Sequence, residues 1–116
     1  MSTTKSAPSR SDVQMVAPAL DKYTYGLLLG DMWKRPGLSL RDRSIVTLAA
    51  LIARNQTIEM PFYFKLAPDN GIKPSEICEI ITHLAFYSGW ANAMSAVAVA
   101  RALFAERGIG TDQLSP

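Results

Sequence analysis

Among the side chains in this sequence able to bind an anion or move a proton, Arg43, Glu59, Tyr63, His83 and Tyr87 form one candidate constellation. His83 is the chain's only histidine, and imidazole is the side chain whose ordinary pKa lies nearest neutrality. It sits in the stretch SEICEIITHLAFYSGW, Ser75 to Trp90. Helical spacing there puts His83 on one stripe with Glu79 and Tyr87, and with Trp90 further on. An imidazole flanked by a carboxylate, a phenol and an indole can line a small polar pocket. It can equally be a core histidine satisfied by a neighbour, and spacing alone leaves both readings open. Glu59 and Tyr63 stand four residues apart, so on a helix they face the same way one turn from each other. Arg43 and Thr47 form a short polar strip on an otherwise apolar segment. There an arginine can be a surface charge, an ion-pair partner between subunits, or a bidentate binder of a carboxylate.

Other chemistries find little support. One histidine and one cysteine cannot supply a usual transition-metal site unless subunits share ligands. A serine triad would have only His83 as its base and lacks a supporting signature. No phosphate-binding glycine loop is present. The lone Cys78 rules out an internal disulfide and any Cys-x-x-Cys chemistry, which fits a reducing cytosol. Twelve Lys and Arg against ten Asp and Glu leave a formal charge of +2, with no basic run that would mark a nucleic-acid partner. The N-terminus MSTTKSAPSRSD lacks the apolar core of a signal peptide, and no apolar run is long enough to span a membrane. These features predict a soluble, cytoplasmic protein. Hydrophobic residues at 48% and charged residues at 19% give the composition of a globular domain with one modest core.

The elements that must position these residues are helical. Residues 1–12 are rich in Ser, Thr and Pro and read as a mobile tail. Helical signals start near Pro18 in ALDKYTYGLLL, where Gly26 weakens the helix and Gly30 breaks it. DMWKRPG forms a turn with Trp33 packed inward. Ser39-x-x-Asp42 is a capping-box pattern opening the next helix, whose core face is Ile45, Leu48, Ala49 and Ile52. Val46, Ala50 and Ala53 make its other sides apolar, so it is expected to be covered on several sides, some of them by another subunit. Asn55-Gln56-Thr57 is a break with Thr57 as cap. A short helix follows, with Pro61 in its first turn and Pro68 closing it. Asp69-Asn70-Gly71 is a turn. Pro74 and Glu76 open the His83 helix, its buried stripe is Ile77, Ile80, Ile81, Leu84 and Ala85, and Gly89 ends it. ANAMSAVAVARALFAERG is a last helix whose small residues Ala93, Ala96 and Ala100 admit close packing. With no strand alternation, the expected fold is all-α, with about five or six helices, in one domain over 13–108 followed by a tail over 109–116.

The run from Leu38 to Arg101 resembles the carboxymuconolactone decarboxylase family, within the alkyl hydroperoxidase D-like superfamily. The resemblance rests on LSLRDRSIVTLAALIA, on the DNGIKPSEI helix entry and on ITHLAFYSGW. It implies a compact all-α subunit assembling as a homo-oligomer, a hexamer or trimer, with active sites lined partly by a neighbouring subunit.

The superfamily holds two chemistries. The thiol branch carries a Cys-x-x-Cys-x-x-x-His pattern after the Asn break, where this chain has Gln56, Glu59 and Tyr63. The missing thiols argue against a peroxidase. The decarboxylase branch is similar at Arg43, Glu59 and His83, and departs at Tyr63, where the typical decarboxylases have a histidine. The resemblance therefore implies a carboxy-lyase that needs no cofactor or metal and acts on a lactone or related cyclic carboxylic acid. His83, Glu59 and Tyr63 would be its acid–base groups, with Arg43, Tyr87 and Trp90 lining the substrate. The competing expectation is a ligand-binding oligomer that has kept the scaffold and lost catalysis. Each residue also has an ordinary structural role available to it. Glu59 can complement a helix N-terminus, Tyr63 can be a core ring, and Trp90 can be packing at the helix joint.

Overall fold

The computed structural model describes residues 7–114. Among them are six α-helices and no strand, the all-α architecture expected. No helix of the described residues is long and apolar enough to cross a membrane. The chain divides into two compact units, Met1–Leu40 and Arg41–Pro116, where the sequence suggests a single domain over 13–108.

In the first unit, helix α1 spans Arg10–Val16. It begins inside the stretch read as a tail, whose first six residues lie outside the described residues. The local cause is a capping box. The Asp12 amide donates to Ser9 Oγ at 3.1 Å, and the Ser9 amide donates to the Asp12 carboxylate at 3.3 Å, so two otherwise orphaned N–H groups are satisfied. Helix α2, Pro18–Lys22, passes into a π-helical segment, Tyr23–Leu28. Side chains tie these pieces together. The Arg10 guanidinium donates to Asp21 at 3.0 and 3.4 Å, Gln14 adds a bond at 3.3 Å, and Arg10 lies 3.8 Å above the Tyr25 ring. The hydrogen bond from Arg10 holds the Asp21 carboxyl below the usual carboxylate range. A single 3₁₀ turn, Met32–Lys34, carries the buried ring of Trp33.

Gly30 ends the π-helical segment for a steric reason. A Cβ there would lie 2.6 Å from the Tyr25 carbonyl oxygen and 2.7 Å from that of Gly26. These are backbone atoms, which cannot swing away. Gly30→Ala is therefore expected to destabilise the protein by about 1–3 kcal/mol, the usual cost of overpacking. Gly37→Ala is the control, because nothing lies within 4 Å of its added Cβ. Urea midpoints would separate the two, and equal midpoints would refute the steric account.

The second unit is built on α3 (Leu40–Ala53), α4 (Met60–Asp69), α5 (Pro74–Ser88) and α6 (Trp90–Glu106). Its core joins Leu48 and Ile52 of α3, Met60 and Phe64 of α4, Ile77 and Ile81 of α5, and the alanine face of α6. Ala93, Ala96 and Ala100 are all buried, so the small residues serve as an internal packing face on which α6 meets both α4 and α5. Asn55 turns the chain after α3 with a left-handed φ of 52°. Helix α4 starts at Met60 with Glu59, not Thr57, in the cap position, and Pro68 lies inside its last turn rather than beyond it. The turn after α4 is pinned by the Asn70 amide, which donates to buried Ser44 at 2.9 Å. At the start of α5 the Glu76 carboxylate accepts from the Lys73 amide at 2.9 Å and pairs with Arg41. Those partners, the backbone bond first, hold the Glu76 carboxyl below its ordinary range.

Helices α5 and α6 are joined by one residue, Gly89, at φ 101°, a backbone conformation that suits glycine. Asn92 braces the joint by donating to the carbonyls of Ser88 and Ala53, both at 3.0 Å. Beyond α6 the stretch read as a C-terminal tail holds a 3₁₀ turn, Thr111–Gln113. Its last two residues lie outside those described.

Candidate functional site

Arg43 lies in the first turn of α3, half-buried, with its Nε shielded from solvent. That is more burial than a solvated surface charge requires. Glu59 and Tyr63 occupy the cap and first turn of α4, so the expected one-turn relation holds. Glu59 is exposed and Tyr63 is half-buried, its ring edge-on to Phe62 at 4.9 Å. Burial first, and then the negative charge of Glu59, raise the Tyr63 pKa above that of an ordinary tyrosine. Both causes oppose formation of a phenolate, so Tyr63 is a hydrogen-bond donor across the neutral range.

This ionisation can be checked directly. Absorbance titration near 295 nm, wild type minus Tyr63→Phe, should show a phenol that titrates above the ordinary tyrosine range of ~10. Because the native state holds this proton more tightly than the unfolded chain, stability is intact below the unfolded tyrosine pKa. It declines as pH rises from there towards the folded value. A difference curve centred at or below the ordinary value would contradict the burial argument.

Helix α5 buries Ile77, Ile81 and Ala85, and Ile80 and Leu84 flank them against the core, so its apolar stripe is as expected. His83 lies outside that stripe and is exposed. The reading of His83 as a core histidine therefore does not hold for the subunit. Its ring stacks on Tyr87 with centroids 4.8 Å apart and planes inclined at 27°. Among the described residues no hydrogen bond, ion pair or other ring contact ties the imidazole to a second side chain. Glu79 shares the helix but does not orient the ring, and neither does Glu59. Trp90 opens α6 and packs edge-on against Phe86 across the Gly89 joint, at 5.3 Å and 79°, so its partner is Phe86 rather than His83.

The six candidates thus form two pairs, Glu59 with Tyr63 and His83 with Tyr87, with Arg43 on α3 and Trp90 at the head of α6. The surface around His83 is unusually apolar. Phe86, Tyr87, Trp90 and Met94 are 73%, 78%, 62% and 62% exposed, a patch of the kind that marks a contact or binding surface. No group of three or more His, Cys, Asp or Glu among the described residues can hold a metal ion.

The sequence reading did not anticipate a cavity of about 540 Å³ between α5, α6 and the C-terminal turn. None of the six candidates lines it. Its polar lining groups are Cys78, Thr82, Arg101 and Thr111, the first three on α5 and α6 and the last in the stretch read as a C-terminal tail. The single signal in the sequence was Arg101, one charge among the small apolar residues of α6.

Comparison with known proteins bears on what these groups are for. Residues 18–102 match the model of the carboxymuconolactone decarboxylase family. The chain is similar to 4-carboxymuconolactone decarboxylase of Acinetobacter baylyi, 31% identical over 86 residues, covering 74% of this chain and 64% of that protein. It is also similar to nitrosuccinic acid decarboxylase of Metarhizium robertsii, 34% identical over 70 residues, covering 60% of this chain and 49% of that protein. The matches thus span from about half to under two thirds of the length of these relatives. The family match covers most of the chain and the helices carrying every candidate residue, and on that ground the chain belongs to the carboxymuconolactone decarboxylase family.

Proposed function

We propose that this chain is a carboxy-lyase that removes CO₂ from a lactone or related cyclic carboxylic acid by acid–base catalysis, without a cofactor. The observation that carries the reading is the exposed His83 ring. It is stacked on a phenol, held by no carboxylate among the described residues, and set in an apolar surface within a family whose two relatives above are both named decarboxylases.

The roles follow from charge. Cleavage of the C–CO₂⁻ bond leaves its electron pair on the adjacent carbon, from where it is delocalised into a conjugated carbonyl. Arg43 orients the substrate carboxylate by paired hydrogen bonds. The Tyr63 phenol, which resists ionisation, donates to the oxygen on which negative charge develops. His83 in its protonated form delivers the proton to carbon and is reprotonated by solvent. Glu59 lies beside Tyr63 and favours positive charge near the site, while Tyr87 and Trp90 are walls for the ring of the substrate.

The exposed patch of Phe86, Tyr87, Trp90 and Met94 belongs to the same reading. In a homo-oligomer, a hexamer or trimer, a second copy seated there would exclude water from His83 and complete the site. Light scattering during size exclusion tests this, and a monomer at working concentrations would remove that part of the proposal.

The direct assay follows CO₂ release from 4-carboxymuconolactone and from nitrosuccinate, the compounds in the names of the two relatives. Turnover of either supports a lyase. The position of Tyr63, where the typical family members carry histidine, favours a second reading, a ligand-binding oligomer. Saturable binding without CO₂ release, unchanged in Tyr63→His, would select it.

A further inference from the structure

The cavity between α5, α6 and the C-terminal turn lies apart from the residues assigned to catalysis. Its volume of about 540 Å³ falls within the range of small-molecule sites. The walls are mainly apolar, with Ile81, Val97, Phe104 and Leu114 among them. Thr82 cannot act as a donor into this space, because its hydroxyl already donates to the Cys78 carbonyl at 2.9 Å. Among the described residues, Arg101 is the only charged side chain in the lining. Among the described residues no hydrogen bond, ion pair or ring contact engages it, although Lys65 and Arg107 are both paired with acids. A chamber with apolar walls and one uncommitted guanidinium matches a ligand with an apolar body and one anionic head.

We propose that this cavity is a second binding site, for an amphipathic monocarboxylate with an acyl or aryl body, whose carboxylate pairs with Arg101. Apolar burial supplies most of the affinity, and the bidentate pair selects the acid over the neutral analogue. The site is independent of the lyase reading and survives its failure.

Cys78 lines the cavity and is the chain's only cysteine, so its reactivity reports on occupancy without a label. The experiment measures the rate of Cys78 modification by Ellman's reagent in the full chain. Dodecanoate, kept below its micellar concentration, and dodecanol are the probes, and isothermal titration provides the stoichiometry. Dodecanoate is expected to slow modification saturably at one molecule per chain. Dodecanol should bind at least ~10-fold more weakly, and Arg101→Gln should lower dodecanoate affinity to that level, since a hydrogen bond to a charged group is being lost. Arg101 is exposed, so this variant is expected to fold. Val97→Trp, which fills the cavity from a half-exposed position, should abolish protection. The proposal is overturned if dodecanoate gives no protection, or if protection is equal in Arg101→Gln. It is also overturned if Cys78 reactivity changes only with protein dilution, which would mean that another copy covers the cavity.

Discussion

On the proposed lyase reading, kcat for decarboxylation in His83→Ala is expected to fall by about 10²–10⁴-fold, the usual worth of a positioned proton donor, with KM changed little. The split follows from the geometry. Substrate binding is assigned to Arg43 on α3 and to the aromatic walls, of which Tyr87 alone is described as stacking on the imidazole. Among the described residues Tyr87 is the one ring that stacks on His83, which is exposed, so its loss should shift unfolding by no more than about 0.5 kcal/mol. Activity and stability therefore separate cleanly in this variant. Steady-state rates and a urea curve on the same preparation would check both. Turnover within threefold of wild type would remove His83 from the chemistry.

The largest structural effect is expected at Phe64. This ring is fully buried at the centre of α4 and is a member of the core that joins α3, α5 and α6. Truncation to alanine removes the transfer free energy of an aromatic side chain and leaves a cavity that the surrounding helices cannot close, a loss of about 3–5 kcal/mol. Domains of this size are stable by only about 5–15 kcal/mol, so the variant should be near the edge of folding at 37 °C. Phe62→Ala is the matched comparison, because that ring is about half exposed (47%) and should cost far less. Urea midpoints measure both. A Phe64→Ala loss below ~1 kcal/mol would show that the site collapses, against the packing described. Since α4 also carries Glu59 and Tyr63, residual activity in Phe64→Ala would report how far the site tolerates a loosened support.

Much of this fold was legible because its helices obey short-range rules. The Ile77–Ile81–Ala85 stripe, the glycine joint at 89 and the alanine face of α6 follow from periodicity and from the conformations open to glycine. The misses have equally local causes. Ser9 and Asp12 cap each other and start α1 in a stretch whose composition suggests disorder. Proline at 68 is tolerated because it falls in a last turn that has its own capping bonds at Asn70.

The candidate site was legible as residue types but not as an arrangement. Spacing on one helix correctly pairs His83 with Tyr87 and Glu59 with Tyr63, since those relations are i to i+4. It could not tell that Trp90 turns towards Phe86, because the two are separated by a break in the helix. The cavity was invisible for a similar reason. It is formed where two helices and a terminal turn meet, and no local pattern records which gaps between helices stay unfilled.

The single-residue joint at Gly89 has a consequence for the order of events in folding. Two long helices meet with almost no loop between them, so their contacts need little chain closure and are local in sequence. Pairing of α3 with the rest must instead bring together residues dozens of positions apart. The hypothesis is that α5 and α6 form the nucleus on which α3 and α4 later condense. Ala96→Gly, at the centre of the hairpin, should then slow folding in proportion to its loss of stability, whereas Leu48→Ala should chiefly speed unfolding. Stopped-flow kinetics showing the opposite pattern would place the nucleus elsewhere.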